Sequence, residues 1–198
     1  MSHTPLFHVA LLEPKIPPNT GNIGRLVCAF GGRLHLVGPL GFSTDERACR
    51  RAGLDYWPHL DWRSHEDLAA LERDLPEGTR VFAFSTRAER VYSEPSYREG
   101  DCFLFGDELK GLPAEVLARY EGLRIPLRSS EVRSLNLANA TAIATSELVR
   151  QLGHPGALGP KPPAELGGAE GGAGGPSASG RSALPAVMLP SSHSEGRS

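Results

Sequence analysis

Short apolar runs alternate with amphipathic stretches over roughly the first three quarters of the chain. The apolar runs show little polar alternation, which is typical of strands covered on both faces of a sheet. They predict strands at residues 6–12, 33–38, 80–85, 102–106 and 123–126. Strands that alternate with helices predict an α/β domain with a mostly parallel sheet flanked by helices and joined by right-handed crossovers.

The stretches between these runs carry helix signals. Predicted helices cover residues 20–30, 43–53, 64–75 and 113–120, and a last one fills the second half of residues 133–153. The helix at 43–53 opens with Ser43 and Glu46 at capping-box spacing. Asn19 stands where the N-cap of the first helix belongs.

The last 44 residues have a different composition. Residues 155–198 contain ten Gly, seven Pro, seven Ser and seven Ala. Such a segment buries too little apolar surface to offset the entropy lost on ordering. We therefore predict a folded domain at residues 1–154 and a disordered Gly/Pro/Ser/Ala-rich tail at 155–198.

Charge alone does not indicate a nucleic-acid binder, because the formal net charge is only −2. The basic residues are 18 Arg and three Lys. Arginine is the better planar ligand for phosphate, but a genome rich in G and C produces the same bias. Both explanations stay open at this point.

Cysteines and apolar segments bear on location. Cys28, Cys49 and Cys102 are odd in number and far apart, which argues against a disulfide framework and fits a reducing compartment. No apolar run approaches the ~18 residues of a membrane span, and no signal peptide is evident. The seven His show no metal-like spacing, so we expect no metal site. From the cysteines and the apolar segments we expect a cytoplasmic protein that does not associate with a membrane.

Three loops that follow predicted strands are candidates for chemistry, because ligands of parallel sheets bind beyond the carboxyl ends of strands. The first, residues 13–25, holds Asn19 and Arg25 with two glycines between them; a capped helix with an exposed Arg explains it equally well. The second, residues 104–113, holds Gly106 and Glu108, and is alternatively an ordinary turn. The third opens residues 133–153, where Ser134, Asn136 and Asn139 either cap a helix or line a site. Neither GxGxxG, a P-loop nor GxSxG is present.

Taken together, the loops resemble the three motifs of SPOUT-class RNA 2′-O-methyltransferases. The matching segments are NTGNIGR, FGDELKGLP and IPLRSSEVRSLNLANATAIATSE. Within that class, EPKIPPNTGNIGRL and RRAGLDYW resemble the TrmL-like group, which methylates the ribose of the tRNA wobble nucleotide, C34 or U34. The resemblance implies a C-terminal trefoil knot (the SPOUT, or α/β-knot, fold), S-adenosyl-L-methionine as cofactor, a homodimer, and the tRNA anticodon stem-loop as partner.

The resemblance also implies site residues. By motif position, the cofactor contacts are Phe84, Gly106, Ile125 and Ser134, and the catalytic group is Arg25, Asn19, Glu108 and Asn136. Arg25 matches the family's essential arginine. A guanidinium stays protonated in proteins and is a poor general base, so we expect Arg25 to hold the substrate phosphate or to polarise the hydroxyl. Glu108 alternatively positions Arg25 through a charge-assisted bond.

Candidates for tRNA recognition follow from charge and aromaticity: they are Arg47, Arg50, Arg51, Arg128, Arg133, Tyr56 and Trp57. An exposed anticodon base is recognised by stacking and edge contacts. The arginines are alternatively a solvated face, and the two aromatic residues are alternatively core. Two other hypotheses stay open: methylation at another tRNA or rRNA position, and a non-catalytic knotted RNA-binding module.

Overall fold

The computed structural model describes residues 4–40 and 55–153. Within them a single sheet orders its strands β3-β2-β1-β6-β4-β7-β5, and every neighbouring pair is parallel. The strands are β1 (His8–Leu12), β2 (Arg33–Val37), β3 (Trp62–His65), β4 (Val81–Phe84), β5 (Arg90–Val91), β6 (Cys102–Phe105) and β7 (Glu121–Arg124). The predicted parallel α/β sheet is confirmed.

Helices cover both faces of the sheet, which explains why its central strands lack polar alternation. They are α1 (Pro17–Ala29), α2 (Leu68–Asp74), α3 (Ala114–Arg119) and α4 (Leu137–Gln151), with a 3₁₀ turn at Trp57–His59. Side chains of α1 and α4 share one buried cluster with Val9 and Phe103. Those of α2 and α3 share a second cluster with Ala10 and Leu104. Adjacent residues of β1 and β6 therefore face opposite helical layers.

The first helix begins earlier than predicted. Its N-cap position is Ile16, and Pro17 is its first residue, where a missing N–H costs nothing because that N–H has no helical partner. Asn19 therefore lies inside the helix, and the prediction that it is the N-cap was wrong. Its side chain is left available for contacts outside the helix.

Other boundaries also moved. The predicted helix at 64–75 was wrong at its start, because Ser64 and His65 belong to β3 and pair with β2. The helix there is α2, capped by the Asp67 carboxylate, which accepts a hydrogen bond from the Ala70 N–H at 2.7 Å. Strand β7 lies two residues before the predicted 123–126, and the short β5 was not predicted.

Two sequence predictions lie outside the described residues: the helix at 43–53 and the tail at 155–198. The division at residue 154 stays a prediction. Within 4–40 and 55–153, each helix is too short or too polar to cross a membrane.

Candidate active site

A cavity of about 570 Å³ opens beyond the carboxyl ends of β4, β6 and β7. Its walls come from residues 84–87, 105–112 and 133–137, and from Ile16, Asn19, Leu123, Ile125, Leu127 and Ala140. This is the edge of a parallel sheet where ligands bind, and the volume is that of a small-molecule site. All four predicted cofactor residues line it: Phe84, Gly106, Ile125 and Ser134.

Aromatic rings form the apolar side of the cavity. The rings of Phe84 and Phe105 stack with centroids 4.6 Å apart and planes 19° apart. Leu112 is buried beside the cavity, and Ile125 packs against the same cluster as Phe84. A planar, partly apolar group fits against such a surface.

Residue 106 has to be glycine because the backbone at Gly111 passes very close to it. A Cβ at this position would lie 2.2 Å from the carbonyl carbon of Gly111. Gly111 has a φ of +69° and closes the turn by donating its N–H to the Asp107 carbonyl at 3.0 Å. The Asp107 carboxylate holds the turn by accepting from the N–H groups of Leu109 and Lys110, both at 2.7 Å.

Three predicted catalytic residues form one hydrogen-bonded chain across the three loops. The Glu108 carboxylate accepts from the N–H groups of Lys15 at 2.9 Å and Ile16 at 3.2 Å, and from Asn19 Nδ2 at 3.1 Å. The Asn19 Oδ1 in turn accepts from Asn136 Nδ2 at 2.9 Å. A carboxylate at the start of α1 is also stabilised by the helix dipole. The chain ties the starts of α1 and α4 to the loop after β6.

Asn136 both caps a helix and lines the site. Its Oδ1 accepts from the N–H groups of Ala138 at 2.9 Å and Asn139 at 3.3 Å, which is N-cap geometry for α4. Its Nδ2 makes the bond to Asn19, and the residue also lines the cavity. Of the three polar residues at this entrance, Asn136 is therefore the cap of α4, and Asn139 donates its N–H to it.

Arg25 lies apart from this chain. Its guanidinium pairs with the Asp55 carboxylate at 3.0 Å and lies over the ring of Tyr56, 4.5 Å from the centroid. The side chain is 59% exposed. Within one chain, the hydrogen bonds of Glu108 go to residues 15, 16 and 19, whereas Arg25 pairs with Asp55.

The aromatic recognition candidates are not open platforms. Trp57 is buried and packs against Trp62, with ring centroids 5.5 Å apart. Tyr56 is half-buried, donates its hydroxyl to the Gly21 carbonyl, and carries Arg25 on its ring. For both residues, therefore, the core alternative is the better supported one.

The arginine candidates are distributed differently. Arg128 and Arg133 are exposed, and Arg133 lines the cavity. Arg47, Arg50 and Arg51 lie outside the described residues. Arg87 was not singled out from the sequence, yet it lines the cavity and donates to the Leu112 carbonyl at 2.7 Å. Its position just after β4 was the available signal.

The chain is similar to known proteins in sequence and in fold. The SpoU rRNA Methylase family matches residues 6–146. A Burkholderia ambifaria protein named tRNA (cytidine(34)-2′-O)-methyltransferase is 44% identical over 155 residues, covering 76% of this chain and 99% of its own length.

Two solved structures are similar as well. One, described as giving structural insights into the 2-OH methylation of C/U34 on tRNA, is 52% identical with a TM-score of 0.70. It covers 74% of this chain and 96% of its own. An AdoMet-bound rRNA methyltransferase from Sinorhizobium meliloti is 26% identical with a TM-score of 0.64, covering 77% of this chain and 62% of its own. The chain therefore belongs to the SpoU rRNA Methylase family.

Proposed function

We propose that this protein transfers a methyl group from S-adenosyl-L-methionine to the ribose 2′-hydroxyl of the wobble nucleotide, C34 or U34, of tRNA. The observation that carries the proposal is the 44% identity, over 99% of its length, to a relative named tRNA (cytidine(34)-2′-O)-methyltransferase. The intact Glu108–Asn19–Asn136 chain beside a ligand-sized cavity supports it.

The residues around the cavity fit the cofactor. An apolar wall built on Phe84 and Ile125 suits an adenine ring, and the glycine-dependent turn at Gly106 exposes main chain to a ligand at close range. Ser134 offers a hydroxyl at the rim. When bound, S-adenosylmethionine supplies a methyl group on a positively charged sulfur, so the transfer needs no metal in principle.

The protein's own contribution is alignment, which is worth ~7–11 kcal/mol in ideal cases. Glu108, Asn19 and Asn136 hold the starts of α1 and α4 together at the rim of the cavity. Arg25 projects from the next turns of α1 and is largely exposed, so a tRNA phosphate can compete with Asp55 for its guanidinium. In this proposal Arg25 anchors that phosphate or polarises the 2′-hydroxyl.

The active assembly is a homodimer in the cytoplasm that binds the anticodon stem-loop of tRNA. Apolar side chains that lie outside the core, such as Phe30, Val132 and Ile143, support an interface between copies. Arg25 lies outside the cavity of its own chain, which agrees with a site completed by a neighbouring subunit. Sedimentation of the full chain tests the dimer.

The C-terminal segment forms a trefoil knot in this proposal. Gln151 near the end of α4 accepts from the Tyr97 N–H at 2.8 Å and donates to the Pro95 carbonyl at 3.1 Å. These bonds hold the end of α4 against the loop between β5 and β6, and this contact supports the proposed threading of the C-terminal segment through that loop. An experimental chain trace through residues 121–137 decides it.

The function is tested with full-length protein, total tRNA and methyl-labelled cofactor, followed by mass-spectrometric mapping of the modified nucleotide. We expect one ribose methyl at position 34. Label at another tRNA or rRNA position would move the target within the same chemistry. Absence of label from folded, dimeric protein would leave a non-catalytic RNA-binding module.

A further inference from the structure

A cluster of possible metal ligands lies at the edge of the sheet formed by β3 and β2, whereas the cavity lies beyond β6, β4 and β7. His35 is in β2, His65 is the last residue of β3, and Asp74 is the last residue of α2. His35 Nδ1 and His65 Nε2 are 2.9 Å apart, and the Asp74 Oδ2 lies 3.8 Å and 3.9 Å from them. Spacing along the chain does not reveal the cluster, because its members come from three separate elements.

Asp74 Oδ2 is a buried oxygen without a donor. It is inaccessible to solvent and has no hydrogen-bond partner among residues 4–40 and 55–153, while the other oxygen pairs with Arg63. Both imidazole nitrogens are too distant from it for a hydrogen bond. An unsatisfied buried carboxylate oxygen costs free energy, and a cation between the three atoms would remove that cost.

His8 orients the central imidazole. His8 Nδ1 and His35 Nε2 are 2.9 Å apart, and both residues are buried. When the His35 Nε2–H donates to His8, the lone pair of His35 Nδ1 points toward the cluster. Hydrogen bonding of the distant ring nitrogen and of the ligating carboxylate is typical of metal sites, and Arg63 provides the second of these.

We propose that His35 Nδ1, His65 Nε2 and Asp74 Oδ2 bind one Zn²⁺ or a similar late first-row divalent ion. Zinc bonds of ~2.0–2.2 Å in a tetrahedron place ligand atoms roughly 3.3 Å apart. The observed separations of 2.9–3.9 Å bracket that value. Imidazole with carboxylate suits zinc, and water would take the fourth position.

Binding replaces the hydrogen bond between His35 and His65 with two metal–nitrogen bonds. The proton of that bond moves to the far nitrogen of its ring, so the charge of the imidazoles is unchanged. The cavity beyond β4, β6 and β7 is not involved. The proposed ion would join β2, β3 and α2, and this proposal does not depend on the proposed function.

The test uses full-length protein freed of metal with a chelator. Zn²⁺ is titrated calorimetrically and Co²⁺ by visible absorption, beside three variants: Asp74→Asn, His65→Gln and the matched control His59→Ala. His59 is an exposed histidine outside the cluster. We expect wild type and His59→Ala to bind one ion per chain with a tetrahedral Co²⁺ spectrum, and each cluster variant to bind at least tenfold more weakly.

Thermal unfolding with and without Zn²⁺ provides a second measurement, because an ion that binds only the folded state raises the melting temperature. The rise is expected in wild type and His59→Ala, and not in either cluster variant. If one cluster variant fails to fold, the other still decides. The proposal is overturned if wild type binds no Zn²⁺, or if a folded cluster variant binds it as tightly as wild type.

Discussion

Arg25 and Arg119 have nearly the same local surroundings, yet we expect only one of them to matter for activity. Each guanidinium pairs with a carboxylate, from Asp55 and Glu72 respectively, and each lies over a tyrosine ring. Their exposures are 59% and 54%. They differ in place, because Arg25 is on α1, the helix that also carries Asn19, and Arg119 is on α3.

The first prediction concerns Arg25→Ala. Methyl transfer to tRNA should fall by about 100-fold or more, the scale expected when a group that stabilises the transition state is lost. Cofactor affinity measured by calorimetry should stay within a few-fold, because Arg25 does not line the cavity. Arg119→Ala serves as the matched control and should retain activity. A collapse of cofactor binding in Arg25→Ala would contradict the assigned role.

Gly106→Ala is the second prediction at this scale. The new Cβ would meet backbone atoms of Gly111 at 2.2–2.4 Å, and backbone cannot rotate away as a side chain can. We expect a loss of ~3 kcal/mol or more in the free energy of unfolding, or failure to fold. Gly122→Ala, whose Cβ would meet only Ala88 atoms at 3.2 Å or more, should cost under ~1 kcal/mol. If urea titrations show that Gly106→Ala and Gly122→Ala lower the free energy of unfolding equally, the steric argument is refuted.

At the scale of elements, the starts of α1 and α4 are one unit. Asn136 satisfies two N–H groups of α4 with its oxygen and reaches Asn19 on α1 with its nitrogen. An N-cap and a bridge to another helix are separate roles. Only the bridge depends on the length and the N–H₂ group of asparagine.

Substitutions at Asn136 should separate those roles. Asn136→Ser keeps a capping hydroxyl but cannot reach Asn19, so the free energy of unfolding should change by under ~1 kcal/mol while methyl transfer drops at least tenfold. Asn136→Ala loses both roles and should cost ~1–2 kcal/mol in addition. The control is Asp67→Ala, which removes the cap of α2 and should lower stability without affecting transfer. Full activity in Asn136→Ser would show that the bridge is not used.

At the scale of the whole molecule, the family match ends at residue 146 and the relatives cover about three quarters of the chain. Residues 155–198 extend beyond that similarity and have a composition unsuited to a core. If the folded domain ends at residue 154, as proposed, residues 155–198 are not needed for folding or for methyl transfer.

Deleting residues 155–198 is the corresponding prediction. The melting temperature should stay within a few degrees and methyl transfer to total tRNA within about twofold, because no part of the described site lies there. Circular dichroism and the labelled-cofactor assay measure these. A truncated protein that folds normally but binds tRNA poorly would instead assign the tail to recognition.

Much of the fold follows from local pattern. Continuous apolar runs predicted β1, β2, β4 and β6 within about two residues, because strands buried on both faces must be apolar throughout. Errors came where a local signal competes with context. Pro17 starts a helix although prolines suggested a loop, and β3 forms from polar residues because it can pair with β2 at the edge of the sheet.

The sequence by itself determined the parallel α/β sheet and predicted which residues to look at, since the four residues proposed to bind the cofactor line one cavity and three of the proposed catalytic residues share one chain of hydrogen bonds. Only the tertiary structure decided which groups pair: Arg25 with Asp55, Glu108 with the start of α1, and His35 with His65, beside Asp74. Such pairs join residues distant along the chain. Sequence periodicity encodes which face of an element is buried, but only packing brings two faces together.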